Sequence, residues 1–267
     1  MSALLAEARR EVLGFFRRRD SFWLLAAFGA GGAAPLAFLA FGPVIAGPGV
    51  SEPFGLSERR FAAEIAHNYV SVLELVALVV LGYALASRSL GEEVERGSWL
   101  LMRLTPAGVE RTLGGKALGI AVILAAAHGL SASLLLTMTP FLRRTHAEVA
   151  LTTLGVLLVA ISAIPEGFAH ASLGSGMPGG PVAFRLLSIA RAALLLAALA
   201  VLFGPPLTLR PSPDAVLYWL ARPGRGPDAG GGGWEALAPW AVSLSWLALS
   251  GAVLWKLVVR RWRSVDR

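Results

Sequence analysis

The stretch Gly91–Leu118, GEEVERGSWLLMRLTPAGVERTLGGKAL, is a charged, helix-prone island between two apolar segments, each long enough to cross a bilayer. A polar island held at a membrane face by a span on each side is a platform for a soluble partner. Reading it that way makes the whole chain polytopic, so the spans around it come next.

Composition supports a membrane chain. The protein has 267 residues, of which 55% are hydrophobic and 15% charged. Soluble domains carry roughly a quarter charged residues. The net charge is +7, from 24 Lys and Arg against 17 Asp and Glu. In a soluble chain that excess would suggest nucleic acid. Here the basic residues flank apolar segments, which points instead to topogenic charge and contact with lipid headgroups. There is no Cys, so disulfides, thiol catalysis and Cys-based metal sites are excluded.

A hydrocarbon core of about 30 Å needs about 20 helical residues. Six segments qualify: Phe22–Val44, Tyr69–Ala86, Ala117–Pro140, Ala147–Pro165, Leu186–Leu207 and Trp234–Val259. The expected fold is therefore all-α, a six-span transmembrane domain over residues 22–267. A cytoplasmic loop covers 87–116 and an outer loop 208–233. With both termini cytoplasmic, 17 of the 24 Lys and Arg fall inside, as the positive-inside rule requires. The expected location is the cell (inner) membrane.

Residues 1–21 precede the first span. Leu4, Leu5, Ala8, Val12, Phe15 and Phe16 recur at helical spacing, with Glu7, Arg9, Arg10, Glu11 and Arg17 between them. This is the pattern of an amphipathic helix lying in the inner interface. A signal peptide is the rival reading, but the apolar stretch is too long for a signal core. Among the outer segments, 45–68 holds a short helix-like run, Glu58–His67. Residues 208–233 are rich in Pro and Gly and end in Gly230–Gly233, a flexible composition.

Within the island, Glu92, Glu93 and Glu95 are expected near a helix start, where the macrodipole favours acids. Trp99, Leu100, Leu101 and Leu104 follow at helical spacing, and Pro106 stops the helix. By this pattern alone the segment is an amphipathic loop helix.

The run also resembles the loop between the second and third spans of type-2 ABC exporter permeases. The matching positions are Glu95, Arg96, Gly97, Ser98, Leu100, Leu101, Thr105, Pro106, Gly115 and Lys116, and Phe22-Trp23-Leu24-Leu25 matches the opening of the first span. Trp99 and Arg103 depart from the family pattern. The resemblance implies a permease subunit acting as a homodimer or heterodimer, with a separate ATPase docked on the cytoplasmic side. Glu92, Glu93, Glu95, Arg96, Gly97, Trp99, Leu100, Leu104, Thr105 and Pro106 would then couple the two. It also implies two neighbouring readings. One is a non-exporting ABC membrane subunit that passes ATPase motion to an extracytoplasmic maturation partner. The other is a haem-exporter-type subunit. A membrane scaffold without an ATPase is the reading outside that family.

A phosphate-binding loop needs G-x-x-x-x-G-K-[ST]. The only Gly-Lys, Gly115-Lys116, is followed by Ala117 and has Glu110 where the first glycine belongs. The chain is thus expected to be no enzyme, to carry no cofactor or resident metal, and to take its energy from a partner.

Ionisable groups inside spans are costly and often functional. Glu74 lies near the start of the second span, either as part of a substrate path or as an outer-interface residue. His128 lies midway along the third, as a ligand, a proton acceptor or a packing residue. Glu64 with His67, and Glu166 with His170, share helix faces, but each pair is short of a full metal ligand set. No H-E-x-x-H, G-x-S-x-G or convincing acid pair supports a hydrolase.

Overall fold

The computed structural model describes residues 3–45, 56–97, 108–141, 146–174 and 248–260. Every described element is helical: α1 (Ala3–Phe16), α2 (Arg19–Ile45), α3 (Leu56–Glu95), α4 (Gly108–Thr137), a 3-10 turn at Thr139–Phe141, α5 (His146–Ile161) and α6 (Ile164–Gly174). Residues 248–260 form a further helical segment. The expected fifth span, the 208–233 loop and the island residues Trp99, Leu100, Leu104, Thr105 and Pro106 lie outside the described residues.

Among the described residues, three stretches are long and apolar enough to cross a membrane: Val70–Glu95, Gly108–Thr137 and Thr153–Ser172. Their inward faces make one core. Leu75, Leu78, Ala86 and Leu90 of α3 meet Leu113, Ile120, Leu124 and Ala127 of α4. Val156, Val159 and Ala160 of α5, Phe168 of α6, and Leu254 and Val258 of the last segment close it. Their outward faces are apolar as well, with Leu73, Val76, Val80, Val122, Leu130, Leu154 and Leu158 exposed. Helices apolar on every side suit hydrocarbon surroundings.

Three expectations change. First, Glu58–His67 and the second span are one helix. At 40 residues, α3 is about 60 Å long, about twice a hydrocarbon thickness, so its charged ends project beyond the apolar stretch. Second, Glu92, Glu93 and Glu95 sit at the end of a helix and not at a start. The macrodipole opposes acids there, and neighbouring cations offset the cost. Gly97 terminates this helix with φ +66°, and its N–H donates to the Val94 carbonyl at 3.0 Å. That bond and the left-handed glycine are the marks of a Schellman-type cap. Gly97 is thus required for its backbone angle.

Third, the fourth apolar stretch does not stop at Pro165. The helix breaks at Ser162–Ala163 and resumes as α6. Pro165 has no N–H to give to Ile161, so the chain tightens into i→i−3 bonds, Ala163 N–H to the Ala160 carbonyl at 3.1 Å. The apolar stretch Thr153–Ser172 runs through that break.

α1 lies against α4, and glycines set how closely. A Cβ on Gly115 would fall 2.6 Å from the Glu7 Cβ and 2.7 Å from the Leu4 carbonyl oxygen. A Cβ on Gly119 would fall 2.7 Å from the Glu11 Cβ. The spacing is that of a small-xxx-small helix contact. A Cβ on Gly114 would meet only the Leu4 Cδ1, at 3.6 Å. Gly115→Ala and Gly119→Ala should each cost about 1–3 kcal/mol by overpacking, while Gly114→Ala stays near wild type. The measurement is the melting temperature in detergent together with tryptic cleavage in α1. Equal behaviour of all three variants would contradict this packing.

Candidate functional site

Among the described residues, two polar sites interrupt the apolar bundle. The first is at the end of the bundle where α3 stops and α4 begins. Lys116 is the largest fully buried side chain there, at 1% exposure. Its position in α4 follows from Gly115 and Gly119, which let α1 close over it. The ammonium donates to Glu11 Oε1 at 2.7 Å and to Ser89 Oγ at 3.0 Å. It also reaches Glu93 at 3.4 Å and Glu7 at 3.6 Å. Ser89 Oγ in turn donates to Glu11 Oε1 at 2.9 Å. Arg10 bridges Glu7 at 2.6 Å and Glu93 at 2.8 Å. Three elements, α1, α3 and α4, therefore share one ion network.

A further carboxylate beside it, Glu92, gathers the arginines. Arg88 Nε donates to Glu92 Oε1 at 2.8 Å. Arg96 stands at 3.4 Å and Arg18, from the α1–α2 corner, at 3.6 Å. Glu95, Arg96 and Gly97 are exposed just beyond. Of the expected coupling residues, then, Glu92 and Glu93 are tied into the bundle and Glu95, Arg96 and Gly97 face outward.

Sequence reading missed most of this network. Glu7, Glu11 and Arg10 read as the polar residues of an interfacial helix, and Lys116 only as part of the Gly115-Lys116 step. The available signal was Glu7 and Glu11, four apart on one helix face, opposite a Gly-Lys-x-x-Gly run whose glycines admit a second helix.

The second site lies within the bundle. Glu74 and His128, singled out separately from the sequence, are partners. His128 Nδ1 is 2.9 Å from Glu74 Oε1, and His128 Nε2 is 2.8 Å from the Thr153 carbonyl oxygen. Both side chains are buried. A carbonyl can only accept, so Nε2 carries a hydrogen. One further proton then sits between Nδ1 and Oε1, as imidazolium facing carboxylate or as imidazole facing carboxylic acid. Either way the pair is neutral overall, which suits an apolar interior where a net charge is costly. The pair joins α3, α4 and α5. One turn up α3, the buried Ser71 hydroxyl donates to the His67 carbonyl at 2.8 Å.

The other expected pairs stay apart from these sites. His67 is buried in α3, and the side chain of Glu64 is outside the described set. The exposed ring of His170 lies against Tyr83, at 5.6 Å between centroids. Among the described residues no group of three or more His, Asp or Glu could hold a metal ion. The chain matches no protein-family model, no curated protein and no solved structure.

The Glu74–His128 geometry sets a double-mutant cycle. Glu74→Ala and His128→Ala should each lower the melting temperature, and the double variant should lose less than their sum. The expected coupling is about 0.5–3 kcal/mol. Glu74→Gln, whose amide can donate to Nδ1, should retain part of it. Strict additivity would mean the pair is not bonded in the folded protein.

Proposed function

We propose that this chain is the transmembrane permease subunit of an ABC transporter, with six spans and both termini cytoplasmic. It works as a homodimer or heterodimer and couples ATP hydrolysis by a separate ATPase to export of a substrate. The motif Glu95-Arg96-Gly97-Ser98 through Thr105-Pro106 is the ATPase-docking segment.

One observation carries the reading. The two helix ends that bracket this motif, Glu95 of α3 and Gly108 of α4, belong to helices clamped together with α1 through buried Lys116. Force applied to the segment between them therefore moves α1, α3 and α4 as a unit, which is what a coupling element needs. Glu95 and Arg96, exposed at its edge, meet the ATPase. The neutral Glu74–His128 pair, on the same α3 and α4, lies on the substrate path and responds when those helices shift.

Glu95→Ala with Arg96→Ala should reduce co-purification of the ATPase, or uncouple its hydrolysis from transport, by roughly tenfold or more, since hydrogen bonds to charged groups are worth about 1.5–3 kcal/mol. Membrane insertion should persist, because it depends on the spans. Full binding with full coupling would reduce the segment to a connecting loop and end this reading. Transport, but not assembly, should also fall in His128→Ala. Normal transport there would remove the pair from the substrate path.

Topology has its own check. Reporter fusions after Arg267 and within Gly230–Gly233 should give opposite signals, as the basic-residue asymmetry dictates. The same signal from both sites would rule out six spans.

A further inference from the structure

A cleft of about 510 Å³ opens between the α1–α2 corner and the last turns of α3, within the usual range of about 300–1,000 Å³ for small-molecule sites. Charge is unevenly spread over its wall. On the side of Lys116, that ammonium and Arg10 are engaged by Glu7, Glu11 and Glu93. On the other side, Arg18, Arg88 and Arg96 converge on the single carboxylate of Glu92, with nitrogen to oxygen distances of 3.6, 2.8 and 3.4 Å.

One carboxylate cannot satisfy three guanidinium groups. Each arginine has five N–H donors in a fixed fork, and these side chains are 43%, 62% and 73% exposed. An excess of positive charge with open donors therefore faces the cleft. The wall also includes Phe15, itself buried, and the partly buried Leu85. Phe16, Phe22 and Trp23 are exposed close by in the chain, on α1 and the start of α2.

We infer that this cleft binds the phosphodiester headgroup of an anionic phospholipid, with Arg18, Arg88 and Arg96 as the anion clamp. Arginine forks match phosphate oxygens in a bidentate way. The position along the chain fits as well. Arg88 to Arg96 lie where the apolar part of α3 gives way to its charged end, the level at which headgroups stand beside a spanning helix. A soluble acidic partner would satisfy the arginines but leave Phe16, Phe22 and Trp23 in water. A glycerophospholipid serves both, with its phosphate on the arginines and its acyl chains beside the exposed aromatic side chains of α1 and α2. The inference rests on the chain lying in a bilayer; it shares Arg96 with the ATP-driven reading, so its test varies Arg18 and Arg88 and leaves Arg96 in place.

Native mass spectrometry of the full chain in detergent tests it, with phosphatidylglycerol, phosphatidylcholine or inorganic phosphate added. Phosphatidylglycerol should be retained in preference to phosphatidylcholine. Arg18→Gln with Arg88→Gln should weaken that retention by roughly tenfold or more, at about fivefold per basic residue near an anionic surface. Glu92→Gln removes the competing carboxylate and keeps all three arginines, so it should retain the lipid at least as well as wild type.

Equal retention of phosphatidylcholine would overturn the proposal. So would complete displacement of the lipid by inorganic phosphate, which would assign the clamp to a free anion. A loss in Glu92→Gln as large as in the arginine variant would trace the effect to folding and overturn the clamp. If the arginine variant keeps its lipid but loses ATPase co-purification, the arginines serve a protein partner and the lipid assignment fails.

Discussion

A buried ammonium must be surrounded by acceptors, and Lys116 meets that demand only by gathering three helices. Burying one unpaired charge costs several kcal/mol. Glu11 and Glu7 come from α1, Glu93 and the Ser89 hydroxyl from α3, and Lys116 itself from α4. None of these elements can move away alone without leaving charge uncompensated. The acceptor carboxylates keep some exposure, 15–19%, so solvent screens part of the energy. The geometric constraint remains, because the Lys116 side chain itself is only 2% exposed.

That constraint explains features elsewhere that look unfavourable locally. Acids crowd the C-terminal turn of α3, against its macrodipole, because Glu93 serves Lys116 and Arg10, and Glu92 serves Arg88, Arg96 and Arg18. Glycines occupy the interior of α4 despite their helix propensity, because α1 could not otherwise approach Lys116. Gly97 stops α3 about one turn after Glu93, so the chain leaves the network soon after its charges are matched.

The Glu74–His128 pair solves the same problem differently. Here the two groups share a proton and cancel, with the Thr153 carbonyl fixing the imidazole from α5. The two polar sites lie on the same two helices, α3 and α4, and between them Leu78, Leu90, Ile120 and Leu124 pack without exposure to solvent. A close-packed interior of this kind transmits displacement. A shift at the charged end of α3 therefore reaches the buried pair, which gives the proposed coupling a physical route.

Hydropathy alone made the helical, membrane-compatible class legible, because the long apolar runs admit no other backbone solution in hydrocarbon. The charge pattern marked both polar sites: Glu74 and His128 stood out as ionisable groups in apolar runs, and Glu92–Arg96 as a charged island. Pairing was not legible, since Glu74 and His128 are 54 residues apart and Lys116 and Glu11 are 105 apart. No local periodicity encodes which helix faces which. Helix ends were misjudged for a related reason. Polarity marks where a chain leaves the apolar layer, but α3 continues through that boundary until Gly97 adopts a positive φ. Composition determined that these residues form apolar helices. Only the tertiary packing, through close approach at Gly115 and Gly119 and charge matching at Lys116, decided which of their polar groups meet.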